Sequence, residues 1–369
     1  MRVCDGLLPR IGSDFGLTPG AAGGVILFFS VAYGLSQMVF GPLGDRWGKA
    51  RLVCFGLLAC MVIALLAAAS ADFPLLLLAR AAWGIAAAGI IPLSMAWIGD
   101  AVSYEERQAT LARLLMGILT GMMAGQLLGG LFADIQAGWR GAFVLMAIGY
   151  GLIGFLLLRR LRGIAVAEPT TGRGTAMFVE QLRMVLSQPW SGWVMGVAFA
   201  EGVLLLGPLA FLPAYLNQRF GLTLAAASAL LALYAVGGLV YALFARRIIP
   251  ALGESRMVSV GGFLMGAGFL SWWLSPVAWT AGFVALAVGF GTYLFHNTLQ
   301  THATQMTPAA RGTAVSVFSA CLFLGQAVGV ALAGYAFDQV SHAALLLVPA
   351  LGLPLTGWLF ARALQRRAA

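Results

Sequence analysis

The sequence predicts an all-α membrane protein made of two pseudo-symmetric six-helix bundles. Three observations carry this. First, 61% of the 369 residues are hydrophobic and only 9% are charged, whereas a soluble domain carries about 25% charged residues. Second, the apolar residues fall into runs long enough to span a bilayer. Third, the two halves repeat each other.

A bilayer core of about 30 Å needs about 20 apolar residues per helix. Spans are expected at 20–43, 52–71, 74–99, 111–133, 140–159, 190–216, 223–246, 257–275, 277–301, 312–336 and 341–363, eleven in all. Runs of this length exclude a β-barrel, whose strands need about 9–11 residues of alternating polarity. Segment 160–189 carries Arg160, Arg162, Glu168, Arg173, Glu180 and Arg183 around Pro169 and Gly172. It divides the chain into an N-terminal bundle over 1–159, a linker over 160–189 and a C-terminal bundle over 190–369.

The net charge of +9 would suit a nucleic-acid surface. Here, however, the basic residues sit in short loops between apolar runs, where they set topology. One set of span ends holds seventeen of them and the opposite set only Arg10, Arg140 and Arg219. The rich side, with the linker and the C-terminus, is expected in the cytoplasm of a cell that keeps the chain in its inner or plasma membrane.

Met1–Leu8 is an apolar stub ending at Pro9, with Arg2 and Asp5 inside it. It is too short to span, and it lacks the parts of a signal peptide. It reads as the outer end of a first helix, so that a start upstream, adding about 12–20 mostly apolar residues, is expected to complete a twelfth span.

The repeat is visible at an offset near 200. Tyr33-Gly34-Leu35 through Asp45-Arg46 runs parallel to Tyr234-Ala235-Val236 through Arg246-Arg247. Gly125-Gln126-Leu127-Leu128-Gly129 pairs with Gly325-Gln326-Ala327-Val328-Gly329. Duplication of a six-helix unit is a signature of several transporter folds.

Three motifs then narrow the class. Gly41-Pro42-Leu43-Gly44-Asp45-Arg46-Trp47-Gly48-Lys49-Ala50-Arg51 follows the second helix. Arg80-Ala81-Ala82-Trp83-Gly84-Ile85-Ala86-Ala87-Ala88 lies in the fourth. Gly121-Met122-Met123-Ala124-Gly125-Gln126-Leu127-Leu128-Gly129-Gly130 lies in the fifth, with Gln126 where a proline is usual. Together they resemble the signatures of the major facilitator superfamily (MFS), and within it of the twelve-helix drug/proton antiporters, with most of the first helix missing. The stub from Asp5 to Gly16 is similar to the end of that family's first helix. The resemblance implies that Asp45 bonds across to the start of the eleventh helix, near Arg311–Ala314, and locks one state. In the second half Arg246 stands at the matching position, so an equivalent carboxylate is absent there.

The glycines of the loop motif, Gly41, Gly44 and Gly48, permit a tight turn and close helix contact. Arg46, Lys49 and Arg51 accompany Asp45 as the motif's charges. Gly117, Gly121, Gly125 and Gly129 form one smooth stripe on the fifth helix, which a second helix can approach closely. The stripe is expected to close the outward side, and a bulky residue at Gly125 is expected to harm the protein.

Charged groups inside the membrane are functional candidates by default. Arg80 lies inside the fourth helix, where an unpartnered arginine costs at least about 2.5 kcal/mol. It couples protons or binds an anionic group, or else it holds backbone carbonyls between helices. It does not itself release a proton. Glu201, about midway along the seventh span, is a carboxylate that a proton gradient could titrate, or a packing glutamate held by hydrogen bonds. Asp5 and Arg2 share a helix face and either pair or close the outer gate. His296 belongs to a polar run with Asn297, Thr298, Gln300, Thr301 and His302, and histidine titrates near neutrality. Trp97, Trp193, Tyr215, Trp272, Trp273, Trp279 and Trp358 are expected as interfacial anchors. Phe211, Tyr234, Tyr293 and Phe295 are candidates for a cavity lining.

Cys4, Cys54, Cys60 and Cys321 form no metal-ligand spacing and read as small hydrophobes. No phosphate-binding Gly-Lys-Ser/Thr loop and no hydrolase motif occurs. Neither a cofactor nor a metal is expected, and an enzyme has no constellation to stand on. The expected protein is a monomeric secondary transporter. Its partners are a small molecule, protons and the lipid bilayer, and not nucleic acid. As the resemblance implies, it exports a small hydrophobic or cationic compound by alternating access. The alternatives are a sugar or metabolite transporter of the same fold, and a channel or membrane sensor.

Overall fold

The structure, a computed structural model, describes residues 2–161 and 174–368. The side chains of Asp45, Tyr104, Glu105, Gln108 and 174–177 lie outside the description. So do Arg162, Glu168, Pro169, Gly172 and Arg173 of the linker, and with them the bond expected of Asp45.

The first bundle holds α1 (Val3–Phe15), α2 (Gly24–Trp47, entered through the turn Pro19–Ala22), α3 (Lys49–Ala68), α4 (Phe73–Ala87 continued by Ile90–Ala101), α5 (Tyr104–Asp134) and α6 (Gly138–Leu161). A helix, Gly174–Ser187, follows within the segment expected as a linker. The second bundle opens with α7, which runs in pieces from Pro189 to Phe220. Next comes Leu224–Leu274, whose 51 residues turn at Gly253. Gly253 has φ 69 and ψ 164, a conformation that costs a residue without Cβ little. The bend makes two crossings, α8 over 224–252 and α9 over 254–274. α10 (Thr280–Gln305), α11 (Arg311–Tyr335, prolonged by the π-turn Ala336–Val340) and α12 (His342–Ala368) complete the bundle.

Among the described residues nine helices are long and apolar enough to cross a membrane. One of these holds both α8 and α9. α10 adds a crossing that His296 and Asn297 make less apolar. The eleven expected spans are therefore all helical. α1 continues through Pro9 to Phe15 and ends at Gly16, φ 66, the extent that the resemblance of Asp5–Gly16 to the end of a first helix implied. Proline removes one backbone donor, and the burial of Leu7, Leu8 and Ile11, each 0% exposed, offsets that loss.

The helices alternate in direction, so the arginine-rich ends gather on one face, called inner below. Two seams join the bundles, α2 against α11 and α5 against α8. They are tight near the outer face. A methyl group at Gly6 would lie 2.6 Å from the Gly130 nitrogen and 2.7 Å from Ser228 Oγ. One at Gly130 would lie 2.5 Å from the Leu224 carbonyl. Toward the inner face the seams part: a methyl at Gly41, Gly117, Gly121 or Gly312 would meet nothing within 4 Å. Leu35, Val39, Leu115 and Met116 are exposed there. The linker helix packs beneath the bundles, with Thr313 Oγ1 donating to Gln181 Oε1 at 2.7 Å.

Candidate functional site

Glu201 owes its position to a break in α7. The helix is regular from Pro189 to Glu201, widens into a π-turn over Gly202–Leu206, and resumes at Gly207. Such π-turns are rare and concentrate at functional sites. Here the widened turn lies backbone to backbone on α11. A methyl at Gly202 would overlap the Leu322 carbonyl, one at Gly207 the backbone of Gly329, and one at Gly325 the Phe199 carbonyl. Four glycines thus fix the main chain that carries Glu201.

From there the carboxylate reaches His296 of α10. His296 Nδ1 lies 3.1 Å from Oε1 and 3.0 Å from Oε2. A nitrogen lone pair and a carboxylate would repel, so one proton lies between them. The glutamate side chain is 2% exposed and the histidine side chain 22%. The pair therefore has a sealed end and an open end. The imidazole also leans on Phe318 of α11, with ring centres 5.7 Å apart. Two candidates from separate parts of the sequence become one group, which can hold a second proton at the histidine's other nitrogen.

The other candidates lie in the first bundle. Arg2 Nη1 donates to Asp5 Oδ2 at 3.0 Å, and Asp5 is 1% exposed. The guanidinium sits 5.7 Å from the Tyr234 ring of α8, so the pair touches the second bundle. Arg80, 1% exposed, donates from Nε to the Val25 carbonyl at 3.0 Å. Its charge rests among the rings of Phe29, Trp83 and Phe143, at 4.4, 5.0 and 5.8 Å. Aromatic faces attract a cation, so Arg80 ties α4 to α2 without a carboxylate at its side among the described contacts.

A cavity opens between α5 and α8, walled by Met122, Met123, Gln126, Tyr234 and Ala235 with Arg2 at one end. Phe211 and Phe295, proposed as lining, are 0% and 1% exposed and belong to the packing instead.

The two glycine motifs divide similarly. In the loop motif, Gly48 has φ 87 and joins α2 to α3. A methyl at Gly44 would lie 2.5 Å from Leu93, so α2 and α4 approach there. Gly41 is open, and Arg46 and Arg51 are exposed. Lys49 pairs with Asp100 at the end of α4. On α5, a methyl at Gly129 would overlap the Val3 carbonyl, whereas at Gly125 it would make ordinary contact with the Val3 nitrogen at 3.5 Å. The stripe is packed against α1 at Gly129 and bare at Gly117 and Gly121, while Gly130 packs against α8. A bulky side chain at Gly125, extending past that Cβ, would press on the backbone of Arg2 and Val3, and at Gly129 a methyl alone already collides.

Two aromatic anchors are also corrected. Tyr215 and Trp272 are 1% and 2% exposed, and the Tyr215 hydroxyl donates to the Trp272 carbonyl at 3.1 Å. Arg219 gathers the end of α9 beside them, donating to the carbonyls of Trp273 at 2.6 Å and Ser275 at 2.8 Å.

Sequence reasoning missed three groups. Glu254 Oε2 and His302 Nε2 meet at 3.0 Å near the inner face. Asp134 and Asp338, at the outer ends of α5 and α11, each reach the opposite bundle. A signal existed for the last two, as an acid at the close of a long apolar span immediately before a turn.

The fold and site define a multi-pass membrane transporter. Residues 5–330 match the family described as the Major Facilitator Superfamily, and the chain belongs to it. It is 22% identical over 336 residues to the Uncharacterized MFS-type transporter YceJ of Bacillus subtilis, covering 91% of this chain and 85% of that protein. It is 26% identical over 332 residues to the Chloramphenicol resistance protein of Streptomyces lividans, covering 88% and 82%. The crystal structure of a D-xylose-proton symporter superposes with a TM-score of 0.74 at 15% identity, over 98% of this chain and 92% of that one.

Proposed function

We propose that this transporter exports a small hydrophobic or cationic compound in exchange for protons. It does so as a monomer in the plasma membrane, with the linker and C-terminus in the cytoplasm. The observation that carries the reading is the Glu201–His296 pair. With the imidazole neutral the pair bears one negative charge; a second proton neutralises it. A group that alternates in this way holds a cationic cargo in one state and releases it in the other. Coupling then requires only that proton and cargo compete. The cavity wall supports a mainly apolar cargo, since Met122, Met123, Leu209, Leu231 and Ala235 line it and Gln126 and Arg2 are its few hydrogen-bonding side chains beside Tyr234. The drug-resistance relative supports the same direction.

Rocking one bundle on the other exposes the site to each side in turn. The present shape, tight outside and parted inside, is one end of that cycle.

The test is transport in proteoliposomes with an imposed pH gradient, using tetraphenylphosphonium and chloramphenicol as probes. Glu201→Gln is expected to abolish gradient-driven movement while probe exchange persists at least in part. Gradient-driven transport equal to that of the parent protein would remove Glu201 from coupling and leave Asp5 as the next carboxylate to examine.

A further inference from the structure

The outer ends of the two seams carry the same device twice. Asp134, the last residue of α5, accepts hydrogen bonds from the backbone nitrogens of Leu224 at 3.2 Å and Ala225 at 2.7 Å. These are the first residues of α8, in the other bundle. Asp338, beyond α11, accepts from the Gly20 nitrogen at 3.0 Å and from the Thr18 hydroxyl. Those residues open the turn that leads into α2, again in the other bundle. Each receiving segment also has its own threonine cap. Thr18 Oγ1 accepts from the Ala21 nitrogen at 3.2 Å, and Thr223 Oγ1 from the Ala226 nitrogen at 3.1 Å.

We propose that Asp134 and Asp338 are a pair of pseudo-symmetric latches that hold the outer side closed, each by capping a helix start of the opposite bundle. The first backbone nitrogens of a helix lack partners within it, and a carboxylate there satisfies them and meets the positive end of the helix dipole. Both bonds are made in the closed-outside shape and must be given up when the bundles separate outside. They therefore weigh on one side of the equilibrium only, which is what a conformational lock requires. The π-turn Ala336–Val340 supports the assignment, because it is the irregularity that carries Asp338 at the end of α11. Asp72 provides the internal contrast. It caps the Leu75 nitrogen at 2.8 Å, but from its own bundle, so rocking leaves that bond intact.

The inference rests on the rocking of two bundles proposed above, and its test reads shape without proton or cargo. In a background with the four native cysteines replaced by serine or alanine, Ser228→Cys places a thiol in the α5–α8 seam beside Gly6 and Gly130. Its labelling by a membrane-impermeant maleimide applied from outside reports opening of that seam. Asp134→Ala and Asp338→Ala are each expected to raise the rate about fivefold, the worth of one helix cap, and more together. Asparagine at either position keeps a capping oxygen without the charge and gives a smaller rise, which also covers the case of an alanine variant that fails to fold. Asp72→Ala leaves the rate unchanged. Unchanged labelling in all the Asp134 and Asp338 variants, or an equal rise in Asp72→Ala, would overturn the proposal. A loss of coupling in Glu201→Gln bears on neither outcome.

Discussion

Each bundle buries one acid beside one basic side chain, and the two pairs differ in a single chemical respect. Asp5 in the first bundle holds an arginine; Glu201 in the second holds a histidine. Both acids are nearly sealed, at 1% and 2% exposure. The guanidinium keeps its charge at any physiological pH, so in Arg2–Asp5 only the carboxylate can change its charge. The imidazole can hold a second proton at its other nitrogen, so Glu201–His296 can change charge at its basic member as well. Burial alone does not make a site responsive to protons; the partner decides.

The comparison can be broken in three places. The largest effect is on stability. Asp5→Asn leaves a buried arginine without its carboxylate, and losing one partner of a buried pair costs about 3–5 kcal/mol. Glu201→Gln costs less, because the remaining histidine can discard its charge. Melting curves in detergent should show a clearly greater loss for Asp5→Asn, and equal losses would mean that both pairs are structural. The middle effect concerns pH. His296→Asn removes the basic member of the Glu201 pair, the nitrogen that would take the second proton, so the pH profile of transport should flatten. An unchanged profile would assign the titration elsewhere. The smallest effect is at Arg10–Asp14, a partly exposed pair 3.2 Å apart at the outer end of α1. Arg10→Ala should cost no more than about 1 kcal/mol and leave the pH profile unaltered, as thermal unfolding and transport together would show.

How far the sequence revealed this depends on the range of each interaction. Hydropathy is a local property, and the spans were legible from it. Gly48 was legible too, since a glycine between two helices in a motif announces an unusual backbone angle. The meeting of Glu201 with His296 was not, because 95 residues separate them and only the packing of α7, α10 and α11 joins them. The latches escaped for a subtler reason. The repeat aligns at an offset of 200–201, but Asp134 and Asp338 stand 204 apart, displaced beyond α11 where the π-turn changes the helical register.

The glycines that seat α7 on α11 bear on how the protein could be made more robust. Replacing glycine by alanine in a helix commonly stabilises by lowering the entropy of the unfolded chain. That route is closed at Gly202, Gly207 and Gly325, where any side chain collides with main-chain atoms. It is open at Gly196 and Gly192, about two and three turns earlier on α7, where an added methyl meets nothing within 4 Å. The same helix therefore offers an engineer freedom near its inner end and none around the π-turn, so thermal hardening should begin where α7 faces away from its neighbours.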